Sequence, residues 1–184
     1  MRIIAGEFRG RRLLGPEGDA TRPITDRAKQ SLFDVLAPLL PGSVVYDLFA
    51  GTGSMGLESI SRGARLAVFY ESDRSALALL RKNIDALRVA DRCRVVAGDL
   101  FRLIAASAAP DADRADLVFL DPPYRFVRER PDDLRALATT LRGRHMAPDA
   151  TLVFRHDAAD AMDLPGFERF DLRTYGEMAI ELLR

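Results

Sequence analysis

The chain has 184 residues, enough for one well-buried domain and not comfortably for two. Lysine plus arginine and aspartate plus glutamate both total 27, so net charge is zero; this excludes a uniformly basic nucleic-acid coat but not a local basic face. The single cysteine, Cys93, excludes an internal disulfide framework or a cysteine-rich zinc site and fits a reducing cytoplasm. No apolar run is long enough to cross a bilayer, and Glu7 and Arg9 interrupt the opening apolar stretch too early for a signal-peptide core.

Met1 to Leu14 reads as a small hairpin or an extended arm with two short strands, punctuated by Gly6 and Gly10. Arg2, Arg9, Arg11 and Arg12 make it basic against Glu7 alone. Such a cluster suits either a solvated edge hairpin or a phosphate-contacting surface. Gly15 to Thr25 is a turn-rich linker. Thr25 is a plausible N-cap that sets Asp26 in the first turn of a helix, and Leu32, Val35, Leu36 and Leu39 follow at helical spacing until Pro41-Gly42. Arg2, Arg9, Arg11, Arg12, Arg22, Arg27 and Lys29 stand against Glu7, Glu17, Asp19 and Asp26. Seven minus four leaves +3 on this region, so the remainder must carry −3.

Val44, Val45, Tyr46 and Leu48 form a short apolar run rich in strand formers. Gly51, Gly53 and Gly56 follow, and Ser54 to Ser61 reads as a helix. Strand, glycine turn and helix is the arrangement that holds a nucleotide-like ligand at the carboxyl edge of a parallel sheet. Gly51 and Gly53 allow close backbone approach, and Asp47 can hold a cationic or hydroxyl-bearing group. A second strand, Leu66 to Tyr70, ends at Glu71, where a carboxylate can accept from ribose hydroxyls. Together these features favour an adenosine-containing ligand.

Asp73 to Val89 is an amphipathic helix with a stripe of Leu77, Leu80, Ile84 and Leu87. Cys93 to Ala97 is a third strand. Asp99 after it can either cap the helix Leu100 to Ala105 or reach an adenine amino group. After a surface loop, Asp116 to Leu120 is a fourth strand that runs into Asp121-Pro122-Pro123-Tyr124. Two prolines remove two donors and fix φ, leaving carbonyls beside a carboxylate, and Tyr124 offers a flat face for a base. That combination suits an exocyclic amine. A helix over Arg128 to Arg142, a fifth strand over Ala150 to Phe154 and a terminal antiparallel hairpin, Phe167 to Arg173 with Met178 to Leu183, complete the chain.

Asp47 to Gly53, Glu71, Asp99 and Asp121 to Tyr124 resemble the S-adenosylmethionine-dependent amino-methyltransferases. Met1 to Leu14, Thr21-Arg22-Pro23, Thr25-Asp26-Arg27, Ser31-Leu32-Phe33 and Tyr175-Gly176 are similar, more closely, to the bacterial 16S ribosomal RNA guanine-N2 methyltransferases, the RsmD-like family. The likeness covers nearly the whole chain. It implies a class I, Rossmann-like α/β fold with a mostly parallel seven-stranded sheet, an antiparallel C-terminal strand and a small N-terminal β-hairpin arm. The expected division is an arm over residues 1–20 and a methyltransferase domain over 21–184.

The resemblance also implies S-adenosylmethionine as cofactor, without a metal. Asp47, Phe49, Ala50, Gly51, Thr52 and Gly53 would cradle its methionine end and ribose. Glu71 with Ser72 would take the ribose hydroxyls, and Asp99 with Leu100 would lie by the adenine. Asp121, Pro122, Pro123 and Tyr124 would hold and stack the target base. The implied substrate is one guanine of 16S ribosomal RNA, at the 966 site, in the assembling small subunit. A monomer in the cytoplasm is expected, with Arg2, Arg9, Arg11, Arg12, Arg22 and Arg27 on RNA and Arg125, Arg128 and Arg155 as further basic positions. One departure stands out: family members often carry glutamate where this chain has Phe154-Arg155-His156, which favours an RNA contact there over an acidic role. Alternatives on the same core are a DNA or protein amino-methyltransferase, or a non-catalytic RNA-binding assembly factor.

Overall fold

The computed structural model describes residues 1–15 and 24–184. Most of the turn-rich linker, with Thr21-Arg22-Pro23, Glu17 and Asp19, therefore lies outside the described residues, and so does Arg22 as a candidate RNA contact.

Two compact units divide the chain, Met1–Gly98 and Asp99–Arg184. The first contains α1 (Asp26–Leu36), β1 (Val44–Leu48), α2 (Ser54–Ser61), β2 (Leu66–Glu71), α3 (Arg74–Leu87) and β3 (Cys93–Ala97). The second contains α4 (Leu100–Ala105), β4 (Ala115–Leu120), α5 (Arg125–Glu129), α6 (Pro131–Arg144), β5 (Met146–Asp157), β6 (Arg169–Tyr175) and β7 (Met178–Leu183). Strand order in the seven-stranded sheet is β3-β2-β1-β4-β5-β7-β6. Within the first unit β1, β2 and β3 pair in parallel, and in the second β4 and β5 do. β7 runs antiparallel to both β5 and β6, as the terminal hairpin predicts. All five residues of β1 are buried, which explains why its apolar residues do not alternate with exposed polar ones; Asp47 is the one charged member.

Local chemistry sets several boundaries. Thr25 Oγ1 accepts from Ala28 N at 3.2 Å, capping α1. The helix expected over 128–142 is two helices. Pro131 has no N–H and disfavours helical geometry in the residue before it, and Arg130 sits at φ −135°, ψ 43°. β5 begins at Met146, earlier than expected, but the ladder slips between the Ala115–Met146 and Leu117–Thr151 pairs, with Pro148 in the interval.

The N-terminal arm turns back on itself with one isolated antiparallel bridge, Arg2 to Arg12, rather than two strands. It is bound tightly to its own unit. Ile3 and Leu13 are buried. Gly6 lies so close to α2 that an added Cβ would stand 1.8 Å from the Ser61 carbonyl oxygen. Glu7 N donates to that same oxygen at 2.7 Å, and Phe8 N donates to Ser61 Oγ at 3.0 Å.

The centre of this attachment is Glu58 on α2, whose side chain is fully buried. Its Oε2 accepts from Ile4 N at 2.8 Å and from Lys29 Nζ at 3.0 Å. Its Oε1 accepts from Ala5 N at 3.0 Å and from Arg62 Nε at 2.8 Å. Lys29, itself 2% exposed, also donates to Ser54 Oγ at 3.0 Å and to the Arg2 carbonyl at 3.3 Å. One carboxylate thus joins the arm, α1 and α2.

Burial pushes the Lys29 ammonium below its ordinary lysine value, and Glu58 partly offsets that. Glu58→Gln keeps the size and removes the charge, leaving Lys29 buried without a counter-ion. Urea denaturation at neutral pH should find a loss of about 3–5 kcal/mol. The folded state binds fewer protons than the unfolded state between the lowered Lys29 value and 10.5, so the Lys29 contribution to stability rises with pH across that window. Glu58→Gln removes the group that offsets burial and so lowers the Lys29 value further; its deficit should therefore shrink as pH rises up to the wild-type Lys29 value. A deficit that is small, or flat with pH, contradicts this assignment.

Candidate active site

In the first unit the glycine turn between β1 and α2 is held by backbone and carboxylate together. Ala50 N donates to the Tyr70 carbonyl at 3.0 Å, and Gly51 N donates to Glu71 Oε2 at 2.7 Å. Glu71 Oε1 accepts from Ser72 N at 2.7 Å and from Asp73 N at 2.8 Å. Glu71 and Ser72 thus lie at the turn, and Glu71 also fixes the turn itself. Phe49 adopts φ 60°, a left-handed conformation that an aromatic residue rarely takes; the bend begins there, before any glycine.

The glycines divide their work. Gly51, at φ 56°, has no atom within 4 Å of where a Cβ would stand, so its face is open. Gly53 was expected to open the backbone to a ligand; it holds a left-handed conformation, φ 85°, that suits glycine, and an added Cβ would press on the flexible end of Leu80 in α3 at 2.4 Å. Gly53 is also the N-cap of α2 and has no side chain to offer. Asp47, buried, supplies the acceptor instead: its Oδ2 takes Gly56 N at 2.8 Å, a favourable place for an anion near a helix start. Thr52, also buried, has its carbonyl held by Asn83 Nδ2 at 3.0 Å. Asn83 further accepts from Leu14 N at 2.8 Å and donates to the Leu14 carbonyl at 3.0 Å, linking the end of the arm to the turn. Sequence reasoning missed this residue. The available signal was a lone amide amid the Leu80, Ile84 and Leu87 stripe.

In the second unit Asp99 caps α4, its Oδ1 accepting from Phe101 N at 3.0 Å, with Leu100 buried behind it. Oδ2 lies 3.8 Å from Arg102 Nε. Asp121 follows the last residue of β4. Pro122 is buried and Pro123 exposed; the Pro123 carbonyl turns into the first turn of α5, accepting from Phe126 N at 2.8 Å. Of the two proline carbonyls, then, Pro122 is the one not bound into α5. Tyr124, half-buried, starts α5 in helical geometry, φ −51° and ψ −37°.

The basic positions differ from the simple charge count. Arg2, Arg9, Arg11, Arg12 and Arg27 are all exposed. Arg2 pairs with Asp26 at 2.7 Å, and Arg11 Nη2 donates to the Ala86 carbonyl at 3.1 Å. Lys29 belongs to the interior, so it adds nothing to a surface field. Arg155 is not a free RNA contact either: its Nε donates to Asp121 Oδ1 at 2.6 Å. Arg128 pairs with Asp160 at 2.8 Å, and Arg125 lies 3.8 Å from Glu129.

Among the described residues no helix is long and apolar enough to cross a membrane, and no three His, Cys, Asp or Glu side chains are grouped to hold a metal ion. The Cys93 thiol is pushed up to about 12 by burial, so it is no ready nucleophile.

The family described as "Conserved hypothetical protein 95" matches residues 1–184. "Putative rRNA methyltransferase YlbH" of Bacillus subtilis is 34% identical over 158 residues, 85% of this chain and 83% of that protein. "Ribosomal RNA small subunit methyltransferase D" of Escherichia coli is 40% identical over 125 residues, 68% of this chain and 61% of that protein. A solved structure, "Putative methyltransferase yhhF" from Escherichia coli, superposes with a TM-score of 0.84 at 30% identity, covering 100% of this chain and 96% of that one.

Burial raises the Asp121 carboxyl above the ordinary aspartate value, while the Arg155 cation pulls it back. Carboxyl 13C NMR should therefore find Asp121 protonating above 3.8, and Arg155→Gln should move that midpoint higher still, because the opposing cation is gone. A midpoint at or below the ordinary value, or one unmoved by Arg155→Gln, contradicts the assignment.

Proposed function

The chain belongs to the family described as conserved hypothetical protein 95, the RsmD family of methyltransferases, and from that premise we propose that it transfers a methyl group from S-adenosylmethionine to the exocyclic N2 of one guanine in 16S ribosomal RNA. The observation that carries this reading is Asp121 at the end of β4, followed in the chain by buried Pro122, whose carbonyl is a second acceptor, and by a half-buried Tyr124. Two acceptors next to a flat ring match the two hydrogens and the aromatic plane of a nucleobase amine.

The first unit fits the cofactor on two counts. The open side of Gly51 admits close approach to backbone. Glu71 receives three hydrogen bonds from Gly51, Ser72 and Asp73, and a carboxylate has about four acceptor positions, so Oε2 can still take a ribose hydroxyl. The cofactor supplies an activated methyl group on a sulfonium that leaves as a neutral sulfide, without acid or metal. The protein's part is positioning: Asp121 and the Pro122 carbonyl would hold and orient the amine for attack. The N2 lone pair of guanine is delocalised into its ring. Accepting both amine hydrogens favours the positive charge that develops on nitrogen as the bond forms. Tyr124 stacks on the base, and extrusion of a target already unpaired costs less than extrusion from a helix. Asp121 need not be a strong base, because the methylated ammonium-like nitrogen loses its proton readily to solvent.

The arm, residues 1–20, is the proposed RNA grip, with Arg9 and Arg12 exposed on it beside Arg2 and Arg11. Backbone contacts supply affinity and register, while the pocket supplies the chemistry.

The test is methyl transfer onto unmodified 30S particles, naked 16S RNA, DNA and protein, with Asp121→Asn beside the wild type. The wild type should modify the ribosomal substrate. Asp121→Asn should lose roughly a hundredfold or more in single-turnover rate with cofactor affinity little changed. Near-normal turnover by the variant, or transfer to DNA or protein alone, rejects the reading.

A second measurement addresses the grip. Arg9, Arg11 and Arg12 changed together to alanine should weaken RNA binding and flatten the slope of log affinity against log salt, leaving cofactor binding intact. An unchanged slope and affinity would move the RNA surface off the arm.

A further inference from the structure

Asp121 has a partner that the amine-holding role does not explain. β5 runs parallel to β4 with Phe154 level with Leu120, so Arg155 is the next residue along and stands level with Asp121. Leu120 and Phe154 are both fully buried on one face, and the following pair turns to the other. There Arg155 Nε meets Asp121 Oδ1 at 2.6 Å, with side chains 18% and 24% exposed. The far end of the guanidinium is also steadied, Nη1 lying 3.7 Å from Met178 Sδ on β7. Neighbouring acids have other cations: Asp157, at the end of β5, lies 3.8 Å from Arg128, and Glu181 on β7 lies 3.2 Å from Arg169. The Asp121–Arg155 pair is therefore covered, short and tied to a third strand, unlike an exposed ion pair of small worth.

We propose that Arg155 is a positioning residue for methyl transfer: it occupies Oδ1 of Asp121, fixes the carboxylate plane, and leaves Oδ2 as the oxygen that receives the substrate amine. This deepens the proposed function and rests on it. A carboxylate that could rotate freely would offer either oxygen and no fixed direction, and catalysis by positioning loses heavily from small misplacements. The pair also keeps the acceptor charged in covered surroundings that otherwise favour its protonated form. The same contact removes Arg155 from the set of phosphate-gripping arginines.

The experiment compares the wild type with Arg155→Met, which keeps the apolar stem beside Met178, with Arg155→Ala, and with Arg155→Lys. Single-turnover methyl transfer to the ribosomal substrate is measured at saturating RNA and cofactor, alongside cofactor affinity by calorimetry and folding by circular dichroism. Arg155→Met and Arg155→Ala should lose roughly ten- to a hundredfold in rate, with cofactor affinity kept. Millimolar guanidinium should restore part of the Arg155→Ala rate where equal sodium chloride does not, and Arg155→Lys should fall between wild type and Arg155→Met. A wild-type rate in Arg155→Met or Arg155→Ala, a faster rate, or a loss without guanidinium rescue overturns the proposal. Loss of the folded state in both variants assigns Arg155 to stability and overturns it too. Failure of the wild type to methylate ribosomal RNA is a different result, because it removes the proposed function itself.

Discussion

The first unit is held together through the buried carboxylate of Glu58. Glu58 sits inside α2, where a solvated face would be the ordinary place for a glutamate, and is fully covered. It is tolerable there because two cations and two backbone amides converge on it. Its partners come from three parts of the chain, the arm, α1 and the end of α2, so the carboxylate acts as a junction. Removing the arm would strip Glu58 of Ile4 and Ala5, and Lys29 of the Arg2 carbonyl. The arm is therefore a fixed part of its unit. Because α2 starts on the glycine turn, and Lys29 and Asn83 reach Ser54 and Thr52, arm and turn share their supports.

A different logic governs the second unit. Asp121 is also largely covered, and among the described residues Arg155 is the donor it meets. A saturated carboxylate such as Glu58 has no capacity left for a ligand, whereas one with an oxygen still available can receive an amine. On the proposed function, the contrast separates a structural anion from a substrate-holding one by counting hydrogen-bond donors rather than by burial alone.

Much of this was legible locally. Strand runs, the glycine turn, the Thr25 cap, the terminal hairpin and the Asp-Pro-Pro-Tyr block each depend on neighbours within a few residues. The break at Pro131 was legible too, from the rule that proline disfavours helical geometry before it, but the Leu134–Leu137–Leu141 pattern masked it. What stayed hidden were pairings across the chain. Nothing in the spacing shows that Lys29 is an interior residue, that Asn83 belongs to both arm and turn, or that Arg155 faces Asp121. Read locally, Lys29 and Arg155 look like ordinary surface cations. Gly53 shows a related limit, since a glycine required by a left-handed turn and one required by a ligand look the same in a sequence.

The central claim is that the reacting atom is an exocyclic amine presented to the Asp121 carboxylate. The most direct measurement is identification of the methylated atom: small-subunit RNA treated with the protein and labelled cofactor, digested to nucleosides and resolved by mass spectrometry against standards. The account predicts N2-methylguanosine at one position. Methyl found on a ring nitrogen, a ring carbon or a ribose oxygen would contradict it.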